Sequence, residues 1–212
     1  MKQEDRFQWT SLKLTLLISL VFLFQLFLPK TLEGFVLNSS EVIYKPWTLL
    51  TYIFLHGSFS HLYSNMFALA LFGSILEKIV GYKNFLKIFF FTGIFSGIFS
   101  TIFYTSVIGA SGAVYGIMGT LAMLRSKMIV WALGVPMYMI ITIVVYGVLD
   151  LAGAFFPSNI AHVGHLSALA VGILIGLLLR KRYAVFEVKR EKFVLGDKEF
   201  RRWEDEYMKR RK

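Results

Sequence analysis

The sequence predicts an all-α membrane protein, a six-transmembrane-helix bundle whose short fourth helix opens below the outer surface. Three observations predict it. The apolar residues come in six blocks, the basic residues between them favour one orientation, and the fourth block is too short to cross a bilayer. At 56% hydrophobic residues and a mean hydropathy of +0.62, the 212-residue chain is more apolar than a soluble domain, for which about 45–50% is usual. Lipid offers no partner for an unpaired backbone, so each block reads as a helix.

The blocks cover about residues 12–29, 58–79, 84–106, 111–124, 128–154 and 160–179. Residues 1–11 then form a cytoplasmic amino-terminal segment, 12–179 one membrane domain, and 180–212 a basic cytoplasmic tail. The first block follows the charged start Met1 to Arg6 and stops at Pro29-Lys30. No small-residue cleavage site follows it, so it reads as an anchor rather than a signal peptide. With the amino terminus inside, 21 of the 23 Lys and Arg residues lie inside, and only Lys30 and Lys45 lie outside. Both termini are therefore expected in the cytoplasm. The absence of a basic, acid-poor transit peptide points to a prokaryotic plasma membrane.

Thirteen of those basic residues follow directly on the last block, from Arg180 onward. The chain's net charge of +10, with more than half of its basic residues gathered there, suits anionic lipid, and no nucleic-acid partner is expected. Phe200, Trp203 and Tyr207 share one helical face of the tail, as an interfacial helix on the inner leaflet would require. The loop over about 30–57 is apolar at Phe35-Val36-Leu37 and Val42-Ile43-Tyr44, which places Trp47 at headgroup level. There are no cysteines, which excludes disulfides and thiolate metal sites.

Depth arithmetic singles out the polar residues. Ser111 to Leu124 rises about 21 Å, against a hydrocarbon thickness of about 30 Å, before Arg125 and Lys127 mark the inner surface. Ser111 thus starts about 9 Å below the outer surface. The preceding segment, Thr105 to Ala110, must be irregular backbone that is buried in protein or lines a water-filled cavity. His165 lies six residues into the last block, again about 9 Å down. Gly164, Ala168, Gly172 and Gly176 make a small-residue ridge, with Gly112 and Gly116 as a matching pair on the fourth helix, and such ridges let helix backbones approach.

A serine and a histidine at one depth suggest nucleophile and base, hence an intramembrane serine protease. Gly109 and Gly112 around Ser111 permit a sharp turn and a close backbone approach. His162 and His165 share a face and either could be the base; His165 has the better depth. His61 and Asn65, four apart in the second block, offer donors at the depth of Ser111 for a developing oxyanion. His56 and His61 are five apart with no glutamate between, and no acidic residue neighbours His162 and His165 in sequence, so no metal or other cofactor is expected. The blocks hold only Glu77, read as an interface pair with Lys78, and Asp150, near an outer end. That excludes an aspartyl pair and predicts a dyad without a carboxylate to orient the histidine. Tyr115, one turn after Ser111, is expected to pack on the imidazole instead.

These residues resemble the rhomboid family of intramembrane serine proteases. The similarity rests on His56-x4-His61-x3-Asn65, on Gly109-Ala110-Ser111-Gly112 with Tyr115, and on His165 with Gly172, in that order, over about residues 12–179. The resemblance implies Ser111 as nucleophile, His165 as general base, His61, Asn65 and the Ser111 backbone as oxyanion donors, and Tyr115 packed on His165. It implies single-pass membrane proteins as substrates, cleaved within the lipid bilayer near the extracytoplasmic face. Trp47 looks like the tryptophan of a Trp-Arg pair common in the family's outer loop, but Thr48 follows it here. Retention of both Ser111 and His165 favours an enzyme over the family's inactive, membrane-protein-binding relatives, and no inverted repeat of broken helices suggests a transporter.

Overall fold

The structure, a computed structural model, describes residues 7–156, 160–183 and 202. The tail residues Phe200, Trp203 and Tyr207 lie outside them. The first helix, α1 (Thr10–Phe27), ends just before Pro29, which cannot continue its hydrogen-bond ladder. Ser11, Leu14, Ile18 and Phe22 are buried at helical spacing, whereas Leu16, Leu17, Leu20 and Leu23 are exposed. Exposed apolar surface on that scale is surface for lipid.

Glu77 explains how α1 begins without a side-chain cap of its own. Its buried carboxylate accepts the backbone N–H groups of Gln8 (2.9 Å), Thr10 (3.0 Å) and Ser11 (2.9 Å). A carboxylate there satisfies orphan donors and complements the positive end of the helix dipole. The expected Glu77–Lys78 interface pair is thereby corrected, since Lys78 sits over the Phe7 ring instead. Glu77→Ala is expected to cost about 2 kcal/mol, the upper scale of a lost helix cap. A melting temperature in detergent equal to that of the parent would contradict this.

After α1 the chain crosses one end of the bundle through β1 (Leu37–Asn38) and the short α2 (Thr48–Thr51). Trp47 is half exposed and its Nε1 donates to the Gly34 carbonyl at 3.2 Å. In the same loop, the Lys45 ammonium beside Glu41, at 2.8 Å, holds that exposed carboxyl below its ordinary value. The next long helix runs over Phe59–Val80 as α3 (Phe59–Ala68) and α4 (Ser74–Val80), joined by a π-helical turn at Leu69–Gly73. Ser11 on α1 donates to the Leu69 carbonyl at 2.7 Å, which diverts it from the regular ladder.

The centre is α6 (Ser111–Leu124), with α5 (Tyr82–Phe103) on one side and α8 (His162–Tyr183) on another; 11 of the 14 α6 residues are buried. A Cβ at Gly172 would collide with the Gly116 backbone, so α8 lies directly on α6 there, and Thr120 Oγ1 donates to the Gly172 carbonyl at 3.0 Å. The expected ridge pairing is correct at Gly172 and Gly176 but not throughout. Gly112 faces Ser96 of α5, and Gly164 faces Ser100 and Ser96, because α6 is packed on both flanks. Arg125 ties the far ends together, donating to the carbonyls of Leu124 and Tyr183.

Two connections depart from simple helix ends. Thr105 to Ala110 is irregular, as expected, and its backbone is met by protein. β2 (Ser106–Val107) pairs antiparallel with β1, Ser39 N–H donates to the Thr105 carbonyl, and Gly109 N–H to the Tyr52 carbonyl, both at 2.9 Å. The fifth apolar block, expected as one helix over 128–154, is half hairpin. β3 (Ile129–Ala132) and β4 (Val135–Tyr138) pair through a turn at Leu133 and Gly134, both at positive φ (52° and 79°), before α7 (Met139–Gly153) begins. Two such residues in left-handed backbone make the turn whose twist suits paired strands.

Among the described residues four helices, Thr10–Phe27, Phe59–Val80, Tyr82–Phe103 and His162–Tyr183, are long and apolar enough to cross a membrane. Ser111–Leu124 and Met139–Gly153 are shorter apolar helices.

Candidate active site

Ser111 is the first residue of α6, and the loop before it is fixed by its own backbone. Gly109 adopts φ +122°, where a side chain is strained, and a Cβ there would come within 2.7 Å of His61 Nε2. Close approach and backbone conformation therefore both require glycine at this position. Ala110 N–H donates to His56 Nε2 at 3.5 Å. His56 is fully buried, and its backbone exchanges hydrogen bonds with the Gln25 side chain at 2.8 and 3.2 Å. It anchors the loop.

His165 sits in the first turn of α8, buried, with Nε2 2.7 Å from Ser111 Oγ. That is an ordinary O–H···N separation. The Tyr115 ring stacks on the imidazole with centroids 4.4 Å apart and planes 15° apart, as the one-turn spacing from Ser111 predicts. Tyr146 of α7 meets the Tyr115 ring edge-on at 6.1 Å. Of the two histidines left open as the base, it is His165 whose Nε2 faces the serine, while His162 turns Nδ1 toward α7.

Asp150 is the residue that sequence reasoning missed. It is buried near the end of α7, with Oδ1 2.6 Å from His162 Nδ1 and 3.1 Å from His165 Nδ1. The expectation of a histidine without a carboxylate neighbour is thus corrected. α7 packs on α8 so closely that a Cβ at Gly153 would collide with the His162 ring, which brings the carboxylate down beside His165. The signal was available, since an ionisable residue in an apolar block is functional by default. The same contact removes the argument against a metal drawn from the lack of an acidic neighbour. Asp150, His162 and His165 offer three ligand atoms within 4.8 Å of one another, although the 2.6 and 3.1 Å separations are those of hydrogen bonds.

His61 and Asn65 lie on one face of α3, as their spacing predicts. Ser58 caps the helix by accepting from His61 N–H at 3.1 Å, and the half-buried His61 ring lies over Gly109 with its edge toward His56. Asn65 is buried one turn further on; one Nδ2 hydrogen goes to the His61 carbonyl at 2.9 Å, which leaves its second for another acceptor. A cleft of about 400 Å³ lined by Gln25, Glu33, His56, Ser58 and Ile108 lies beside this loop rather than at the serine itself.

Residues 44–182 match the rhomboid domain family, and the chain belongs to it. It is similar to YdcA of Bacillus subtilis (strain 168), at 34% identity over 139 residues, which is 62% of this chain and 66% of that protein. It is similar to RHOMBOID-like protein 5 of Arabidopsis thaliana, at 31% over 152 residues, 68% of this chain and 48% of that one. Rhomboid protease GluP of Bacillus subtilis (strain 168) matches at 34% over 131 residues, 59% of this chain and 24% of that protein. The chain thus spans less than two thirds of the length of these curated relatives. Family and apolar helices together make this a multi-pass membrane protein.

Proposed function

We propose that the protein is an intramembrane serine endopeptidase that cuts transmembrane segments of single-pass membrane proteins near the extracytoplasmic face. The observation that carries this reading is the Ser111 Oγ to His165 Nε2 contact at 2.7 Å, made between two helices across 54 residues of sequence. The names of the similar proteins, one of them a rhomboid protease, support it. On this reading six helices span the bilayer, with both termini on the cytoplasmic side and Ser111 below the opposite surface.

In the first half-reaction Ser111 Oγ attacks the scissile carbonyl carbon while its proton passes to His165 Nε2. The tetrahedral intermediate collapses as the C–N bond breaks, and His165 returns that proton to the leaving amine. Water, deprotonated by His165, then hydrolyses the acyl-serine and regenerates both groups. Negative charge on the carbonyl oxygen is met by His61, the Asn65 amide and the Ser111 N–H, which at a helix start has no partner in its own helix. Asn65→Ala and His61→Ala should each lower kcat by about 10–10³-fold with smaller effects on KM. An unchanged kcat in the double variant would reassign both residues to helix packing.

The test of the function is direct. Purified protein incubated with a panel of single-pass transmembrane substrates should release fragments cut within or beside the membrane segment. Absence of cleavage across the panel by folded protein would contradict the reading.

A further inference from the structure

His165 can act as a base only in one of its two neutral forms. Nε2 must carry the lone pair that faces Ser111, so the ring proton must sit on Nδ1. Stacking on Tyr115 fixes the plane of the ring but does not choose between the two forms. Asp150 makes that choice. An ionised carboxylate only accepts, so an imidazole nitrogen 3.1 Å from its Oδ1 is held as N–H. With Nδ1–H committed to Asp150, Nε2 is left bare at 2.7 Å from Ser111 Oγ.

We propose that Asp150 is a positioning residue of the active site, one that holds His165 in the Nδ1–H form and stabilises the imidazolium formed when Ser111 gives up its proton. The inference rests on the protease reading above. His162 has a part in the same arrangement. Its Nδ1 is 2.6 Å from the same oxygen, so it donates to Asp150 as well and holds the carboxylate from the other side. Among the described residues Asp150 Oδ2 makes no hydrogen bond of ordinary length, and the Tyr115 hydroxyl interacts with the same carboxylate. Such a carboxylate is costly to bury unless it is paired, and the charge that appears on His165 during the reaction pairs it.

A purely structural account is the alternative, in which Asp150 ties α7 to α8 through the shorter His162 contact. The two accounts separate by comparing variants. Asp150→Asn keeps the shape but offers an amide that can present N–H to the ring, so it should lower kcat by about 10⁴-fold, as expected when the orienting acceptor of a serine–histidine pair is lost. KM should stay within about threefold, because binding contacts are untouched. His162→Ala should lower kcat by less than about tenfold, since the His165 contact survives it. Equal rates in Asp150→Asn and the parent, or equal losses in Asp150→Asn and His162→Ala, would overturn the proposal.

Nuclear magnetic resonance of isotope-labelled histidine supplies a readout independent of turnover. His165 of the parent protein should carry its proton on Nδ1, and a folded Asp150→Asn variant should shift it toward Nε2. A proton on Nε2 in the parent would overturn the proposal even if the variant failed to fold. If the parent cleaves no substrate, the protease reading fails, while the position of the proton still decides what Asp150 does to His165.

Discussion

Ser111→Ala and His165→Ala are each expected to abolish cleavage while leaving the fold intact. Alanine at 111 removes the atom that forms the acyl bond, and alanine at 165 removes the base that sits 2.7 Å from it. The two losses should not add, because nucleophile and base act as one unit. Cleavage measured on a transmembrane substrate, with melting temperature as the folding control, gives the comparison. Undiminished cleavage in either single variant would contradict the mechanism. Loss in His162→Ala with retention in His165→Ala would move the base one turn along the helix.

Gly172→Val should be nearly as damaging, through structure rather than chemistry. The Cβ position at Gly172 is already occupied by the Gly116 backbone, which cannot rotate away as a side chain can. Valine would have to push α8 off α6, breaking the Thr120–Gly172 hydrogen bond and separating Ser111 from His165. Overpacking at such a contact costs about 3 kcal/mol, and backbone against backbone lies at that upper end. The expected result is a large loss of folded protein and of activity together. A variant that melts and cleaves like the parent would show that the helices do not depend on this contact.

Much of this architecture is legible in the chain because a bilayer leaves few choices. Apolar length and the flanking Arg125 and Lys127 delimit Ser111–Leu124, which is the helix observed, and one helical turn puts Tyr115 on the His165 ring. What escaped was set by tertiary contact. The segment from Ile129 to Tyr138 is as apolar as a helix interior, yet Gly134 and Pro136 mark the hairpin that forms there. The sequence sets Glu77 beside Lys78 and Asp150 near a helix end. Their actual partners lie on α1 and α8, and only the fold brings them together. The same holds for Gly112 and Gly164, whose spacing is right for a ridge but whose neighbour is α5. Periodicity places residues on a face without saying which helix that face will meet.

The central claim is that Ser111 is a nucleophile activated by His165. Treating the folded protein with a fluorophosphonate and mapping the adduct by mass spectrometry tests it most directly. The account predicts a single covalent adduct on Ser111, absent in Ser111→Ala and strongly reduced in His165→Ala. An adduct on another residue, or unreactive Ser111 in correctly folded protein, would contradict it.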